Sequence, residues 1–259
     1  MAATLTYETE GGVALLTLRR EERRNAINRA MIADLAEAID AFEADDGARV
    51  LIVTGAGSAF SAGADIKERA ENAGDMSVQR TSLHISPLFR RLELTPKVVI
   101  AAINGAAVGG GCELALACDL RVAARSAVFA LPEVRLGILP GAGGTQRLPR
   151  VVGPARAKEM MLLARYLDAD AALAWGLVNE VVDDADLMPR VRAIAAGVIE
   201  MAPVALGVIK SAVDKAQDLD LDAGLSFEQE CSQVVAATED RVEGYQAFVE
   251  KRKPRFTGR

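Results

Sequence analysis

The chain has 259 residues, 51% of them apolar and 25% charged, with a net charge of -6 and a single histidine, His84. That length allows one large domain, or one domain with an extension, and a core that needs no staple. One histidine excludes HExxH zinc sites and three-histidine metal sites, and the three cysteines lack CxxC spacing, so no metal and no disulfide framework is expected. Acid-base chemistry therefore falls to carboxylates or lysines. The odd cysteine count fits a reducing cytosol. The opening MAATLTYETE is acidic without an apolar signal core, and no apolar stretch approaches the roughly 18 residues of a membrane span. The expectation is a cytoplasmic protein with no membrane partner, and the acidic balance speaks against nucleic acid as its main partner.

In chain order, residues 4–9 and 13–18 read as strands paired across Gly11 and Gly12. Met31, Ile32, Leu35, Ile39 and Phe42 recur at spacings of one, three and four, which predicts a helix over 29–44 with one buried face. Residues 50–54, apolar up to Thr54, and 98–103, apolar throughout, are read as buried strands. The first leads into a Gly/Ser-rich loop. The second leads into Gly105 and then Gly109, Gly110 and Gly111, which open a helix expected to run through Cys118. A strand over 120–123 and an apolar stretch at 128–131 follow, and then helices dominate. From about Leu187 four helical segments succeed one another, broken at Pro203, around 218–220 and around 238–240. This alternation is that of an α/β layered domain. The composition divides the chain into a core, 1–195, and a C-terminal helical region, 196–259. No repeat is visible in the sequence.

Three glycine-rich segments end strand-like runs, where a backbone can present free N–H groups. The first, 55–67, lacks the Lys-Ser/Thr ending of a phosphate loop, and no GxGxxG occurs anywhere in the chain. By glycine content alone it is a long turn; the alternative is a loop that holds the Ala64 N–H open for an anion. In the second, 104–113, three consecutive glycines precede a helix, which lets a ligand approach the backbone. Glu113 in its first turn reads, by itself, as a helix-capping carboxylate. In the third, 132–145, Glu133 follows Pro132 and could equally begin a helix. The twenty residues between Glu113 and Glu133 leave room for the chain to double back. Burial and repulsion would then part their pKa values. Two backbone donor loops and two carboxylates are what a reaction through a thioester enolate requires.

The runs AGADIK (62–67), GGGCELALACD (109–119) and LPGAGGTQRL (139–148) resemble the enoyl-CoA hydratase (crotonase) family, and the similarity extends over essentially the whole chain. The resemblance implies an α/β, crotonase-like spiral of β-β-α repeats, with the C-terminal helices making trimer contacts in a homo-trimer or a hexamer of two trimers. It implies that the N–H groups of Ala64 and Gly110 form an oxyanion hole, with the backbone of Gly141 beside the reacting water. Glu113 and Glu133 would hold that water for syn addition, Glu113 at C3 and Glu133 exchanging the C2 proton, with their division of labour open. The substrate would be an acyl-CoA and the cofactor none. Arg24 and Ala26 would line the CoA path, joined by Ala62, Ala64, Asp65, Ile66, Gly110 and a phosphate-approaching Lys67. Phe248 and Lys251 would reach CoA across a subunit contact.

The implied reaction is reversible hydration of a trans-2-enoyl-CoA, a step of fatty-acid β-oxidation. The alternatives are a methylglutaconyl-CoA hydratase, a Δ3-Δ2 enoyl-CoA isomerase, or a CoA- or RNA-binding module without turnover. Ala106 stands where the family commonly has a larger aromatic residue, so the acyl pocket's width is open there and in the loop 71–88. His84 is read as a helical, non-catalytic residue, Cys112 and Cys118 as core, and Trp175 as packing.

Overall fold

The computed structural model describes residues 4–76 and 82–259. Strands β1 (Leu5–Glu10) and β2 (Val13–Leu18) form an antiparallel hairpin, Leu5 opposite Leu18. Its turn is made by Gly11 and Gly12, both at positive φ. Parallel pairing then carries the sheet from β2 through β3 (Val50–Gly55), β5 (Val98–Ile103) and β7 (Leu120–Ala124) to β10 (Glu180–Val182). The strands skipped in that order are β4 (Ala59–Ser61), β6 (Ala106–Val108), β8 (Val128–Ala130) and β9 (Leu167–Asp168), and they build a second, four-stranded sheet. Each of the pairs β3-β4, β5-β6 and β7-β8 thus sends its first strand to one sheet and its second to the other. A helix follows each pair, and the repetition makes the β-β-α spiral.

The helices are α1 (Arg29–Ala44), α2 (Ile66–Glu71), α3 (Ser82–Leu94), α4 (Gly110–Leu116), α5 (Gly144–Val152), α6 (Pro154–Leu162), α7 (Ala169–Trp175), α8 (Leu187–Ile199), α9 (Pro203–Lys215), α10 (Leu221–Ala236) and α11 (Glu239–Glu250). α1 begins where the Asn28 side chain accepts the Met31 N–H at 2.9 Å, and it buries Met31, Leu35, Ala38, Ile39 and Phe42, the face its periodicity marks. β3 is buried at every position and β5 at all but its first because both faces of the large sheet are covered. Leu51, Val53, Val99, Ala101 and Ile103 face the main core, while Val50, Ile52, Ile100 and Ala102 face Leu187, Val191 and Ala195 of α8. α8 therefore runs straight through position 195 as part of the sandwich around the sheet.

α4 ends at Leu116, two residues short of the expected Cys118. The chain must turn there into β7, and Asp119 makes the turn: its N–H donates to Val99 O at 2.9 Å and its carboxylate accepts the Val99 N–H at 2.7 Å. Cys112 and Cys118 are buried in the main core, and Trp175 packs half-buried against it. His84 is exposed on α3. The four C-terminal helices start and stop at the expected breaks: Pro203 opens α9, Asp220 caps α10 and Thr238 caps α11. Among the described residues no single helix is long and apolar enough to cross a membrane.

α9 packs on the core at Gly207, where a Cβ would stand 2.8 Å from Pro96 Cβ, and is tied to it by Lys210. Lys210 Nζ donates to Leu92 O at 3.0 Å, Lys97 O at 3.1 Å and Asp119 Oδ2 at 2.9 Å. Lys210→Met would leave the Asp119 carboxylate largely buried without its cation, and should lower the unfolding free energy in urea by about 3 kcal/mol. A loss no larger than that of a surface substitution would show that other contacts hold α9.

Candidate active site

Parallel pairing in the small sheet brings three strand ends together. β4 pairs with β6 and β6 with β8, all parallel, so the segments following them emerge on one side. Crevices outside the carboxyl ends of parallel strands are where α/β proteins bind ligands. Ala64 lies three residues past β4, Gly110 two past β6 and Glu133 three past β8.

The segment after β4 is held by the chain before α1. Ala62 N–H donates to Arg24 O at 2.9 Å, Ile27 N–H to Gly63 O at 2.7 Å and Asp65 N–H to Ile27 O at 3.0 Å. These bonds leave the Ala64 N–H on the side away from Ile27. Asn25 locks the crossing: it is fully buried at a φ of 55°, and its amide donates to Ala56 O at 2.9 Å and Ala59 O at 2.8 Å. Ser61 Oγ donates to Asn25 O and accepts the Gly63 N–H. Arg20 reaches across with one nitrogen on Ala26 O and another on Asp65 Oδ2 at 2.9 Å. Burial alone would raise the Asp65 pKa, but the Glu68 N–H and Arg20 hold it below the ordinary carboxylate value.

The Ala64 and Gly110 amides meet across Gly63. A Cβ on Gly63 would stand 2.8 Å from Gly110 N and 2.5 Å from Val108 O, so only glycine lets the two segments approach. The Ala64 nitrogen in turn lies 3.6 Å from the place of a Gly110 Cβ. Gly110 is the first residue of α4, where a helix N–H has no partner within its own helix.

One turn into α4, Glu113 is 3% exposed. Its Oε1 accepts the N–H groups of Ala142 at 2.8 Å and Gly144 at 2.7 Å. Burial raises its pKa, and these two bonds counter the rise only in part. Glu133 reaches the same place because Gly109 N–H donates to Ala130 O at 2.8 Å, which joins the start of α4 to the end of β8. Glu133 Oε1 lies 2.9 Å from the place of a Gly109 Cβ, and Oε2 is buried with no hydrogen-bond partner among the described residues. Burial, with the neighbouring Glu113 charge adding to it, pushes the Glu133 pKa up to about 7. One carboxylate is thus anchored by peptide dipoles, while the other stays near a proton at neutral pH.

The structure brings together Ala64, Gly110, Glu113 and Glu133, and lays Arg24 and Ala26 alongside Ala62 and Asp65. Ile66 and Lys67 begin α2 with exposed side chains, and the Lys67 ammonium is 3.9 Å from Glu71. Gly141 is exposed at the head of its run, and the amides that hold Glu113 belong instead to Ala142 and Gly144. Phe248 and Lys251 lie elsewhere, at the end of α11. Phe248 is 85% exposed and lines an apolar groove of about 780 Å³ with α9, α10 and the tail. The loop 71–88 expected to wall an acyl pocket contains 77–81, outside the described residues. Asn25, Arg20, Ala142 and Gly144 carry the geometry although the sequence assigns none of them a role of its own; Arg20 and Asn25 lie in the basic run 19–28 before α1, whose Arg-Asn-Ala-Ile pattern resembles a CoA contact segment, and Ala142 and Gly144 in the PGAGGT run.

The enoyl-CoA hydratase/isomerase family model matches residues 8–259. The chain is 43% identical over 247 residues to the short-chain-enoyl-CoA hydratase of Clostridium acetobutylicum, covering 95% of this chain and 94% of that one. It is 41% identical over 253 residues to the crotonyl-CoA hydratase of Syntrophomonas wolfei, covering 97% of each. The solved structure of an enoyl-CoA hydratase from Bacillus anthracis superposes with a TM-score of 0.95 at 40% identity, covering 99% of this chain and 100% of that one.

The raised Glu133 pKa has a cost in stability. Between its ordinary value of 4.5 and about 7 the folded chain binds the proton more tightly than the unfolded chain, so stability falls as pH rises through that window. Glu133→Gln should therefore unfold at higher temperature than the wild type above about pH 8 and at nearly the same temperature near pH 4. An equal difference at both ends would place the Glu133 pKa near the ordinary value.

Proposed function

The chain belongs to the enoyl-CoA hydratase/isomerase family, and from that premise we propose that it reversibly hydrates a short trans-2-enoyl-CoA to the 3-hydroxyacyl-CoA, using no cofactor beyond the CoA of its substrate. The family acts on acyl-CoA thioesters. The observation that carries this reading is the contrast between the two buried glutamates: Glu113 is held by two peptide N–H groups, and Glu133, with an oxygen unpartnered among the described residues, is pushed up to about 7 by burial and the Glu113 charge.

In the proposed reaction the thioester oxygen accepts the N–H groups of Ala64 and Gly110, which take up charge as the enolate forms. Glu113 accepts a proton from water as the oxygen attacks C3, and Glu133 delivers its proton to C2 on the same face. Proton and hydroxyl sum to one water, and a proton passing back from Glu113 to Glu133 resets the pair. Gly141 supports the water from the backbone. CoA follows the edge formed by Arg24, Ala26, Ala62 and Ile66, with Lys67 near a phosphate. Asp65, already bonded to Arg20, shapes this edge rather than meeting charge on CoA. A neighbouring subunit of a trimer, or of a hexamer of two trimers, would bring its own Phe248 and Lys251 to the CoA. Cytoplasmic β-oxidation-type chemistry fits this substrate.

Hydration of crotonyl-CoA, followed by loss of its enoyl absorbance, tests the reading. Glu113→Gln and Glu133→Gln should each lower the rate on the order of 100- to 10000-fold. His84→Ala, at an exposed position, should retain turnover. Near-wild-type rates in both glutamate variants would overturn the assignment, and faster turnover of 3-enoyl than 2-enoyl thioesters would favour an isomerase. Because hydration needs Glu133 protonated, kcat/KM should fall as pH rises through about 7; dehydration of the 3-hydroxy thioester starts from the same singly protonated pair with the proton on Glu113, so its kcat/KM should fall in step.

A further inference from the structure

The two amides that hold Glu113 belong to a turn that has its own brace. Ala142 O accepts Arg147 Nη1 at 2.7 Å, one turn into α5. The same guanidinium is gripped by Glu93 from the end of α3, through Nε to Oε1 and through Nη2 to Oε2 at 2.9 Å. Such a fork-to-carboxylate pair fixes the plane of the guanidinium as well as its position. The Arg147 and Glu93 side chains are 13% and 18% exposed, so the pair is mostly removed from water. Arg90 Nη1 donates to the same Glu93 at 2.9 Å from the outside.

The fit leaves no slack at Gly143. Its φ is 111°, and a Cβ there would stand 1.8 Å from Arg147 Nη1, so the guanidinium lies directly against the peptide between the two donors. From the other side, a Cβ on Gly144 would meet Pro140 Cβ at 2.8 Å and Glu113 Oε1 at 3.1 Å. The turn 142–144 is therefore pressed between Arg147 and Glu113. Any displacement of the guanidinium moves the Ala142 peptide, and with it the donors to Glu113.

We propose that Arg147, gripped by Glu93, is a positioning residue for the reaction: it sets the Ala142–Gly144 amide pair and so the place and charge of the Glu113 carboxylate. Arg147 touches neither the carboxylate by a hydrogen bond nor any reacting atom, and it acts through the peptide it holds. The inference rests on the hydratase reading for its kinetic consequence, while its structural consequence is independent of it. The groups whose charges face Glu113 are Arg147 from α5, Arg69 from α2 and Glu133 after β8, with the adjacent Cys112 thiol buried and neutral. Removing Arg147 takes away a positive charge and loosens both amides, and both changes favour the protonated acid.

The test compares Arg147→Gln, Arg147→Lys and Glu93→Gln with the wild type. In crotonyl-CoA hydration, Arg147→Gln should lower kcat on the order of 100-fold, the scale of a misplaced catalytic group, with KM little changed. The limb on which activity rises with pH, which reports ionisation of Glu113, should move to higher pH. Arg147→Lys restores the charge without the fork and should recover the pH limb but only part of kcat. Glu93→Gln keeps the charge but weakens the grip and should lower kcat with a smaller shift of the limb. In parallel, carboxyl NMR of protein labelled with carbon-13 glutamate, with the Glu113 signal identified by its absence in Glu113→Gln, should show Glu113 titrating at higher pH in Arg147→Gln. An unchanged Glu113 titration, or an unchanged kcat and pH limb in folded Arg147→Gln, overturns the proposal. If Arg147→Gln fails to fold, the same two readouts on Arg147→Lys and Glu93→Gln decide it. If the wild type hydrates no enoyl-CoA, the hydratase reading fails and the NMR titration alone decides the positioning role.

Discussion

Parallel pairing of three very short strands is the constraint on which the site depends. β4, β6 and β8 are three residues each, yet their common direction brings the segments after them out at one edge. A donor amide, a helix start with its glutamate and a second glutamate then arrive at the same place from three separate stretches of chain. Were β8 antiparallel, Glu133 would leave from the opposite end of the sheet. So small a sheet has little stability of its own. The large sheet supplies it, because each short strand is tethered to a long, doubly covered partner by the β-β-α repeat.

Within that frame the notable economy is the way Glu113 is kept in the interior. A carboxylate held by a cation, as Asp65 is by Arg20, can be kept below its ordinary pKa and become a poorer proton acceptor. Two peptide N–H groups offset part of the desolvation and no more, so the acid remains responsive. Glu133, with burial and a like charge but without such donors, is pushed further. The two glutamates differ in basicity because the backbones around them differ, which is how identical side chains can take different roles.

The close approaches that make this arrangement also restrict the sequence around it. Gly63 is narrow because two backbones meet there, and Gly144 because a peptide must come within hydrogen-bond reach of a carboxylate. The C-terminal region is under a different constraint. α9 is fastened to the core by Lys210, whereas α11 leaves Tyr245, Phe248 and Val249 largely exposed around an apolar groove.

The sequence by itself determined the large sheet and the helical segments. β2, α1 and β5 have the bounds their patterns predict, because continuous apolar runs and helical periodicity are local signals of burial on two faces or one. Its glycine-dense runs contain Ala64, Gly110, Glu113 and Glu133, but the roles expected of them came from the resemblance to the enoyl-CoA hydratase family, since alone each glutamate reads as a helix-starting carboxylate. The tertiary structure alone decided the rest. Three-residue strands are too short to show alternation, so of the second sheet only β8 left a trace, as the apolar stretch at 128–131, and the repeat was expected from the family resemblance and not from the pattern. The choice of Ala142 and Gly144 over Gly141 as partners of Glu113 depends on contacts spanning 29 and 31 residues, and the Glu93–Arg147 brace on one spanning 54. Contacts at such separations follow from how strands are ordered in space, and one chain's residue spacing carries no record of that order.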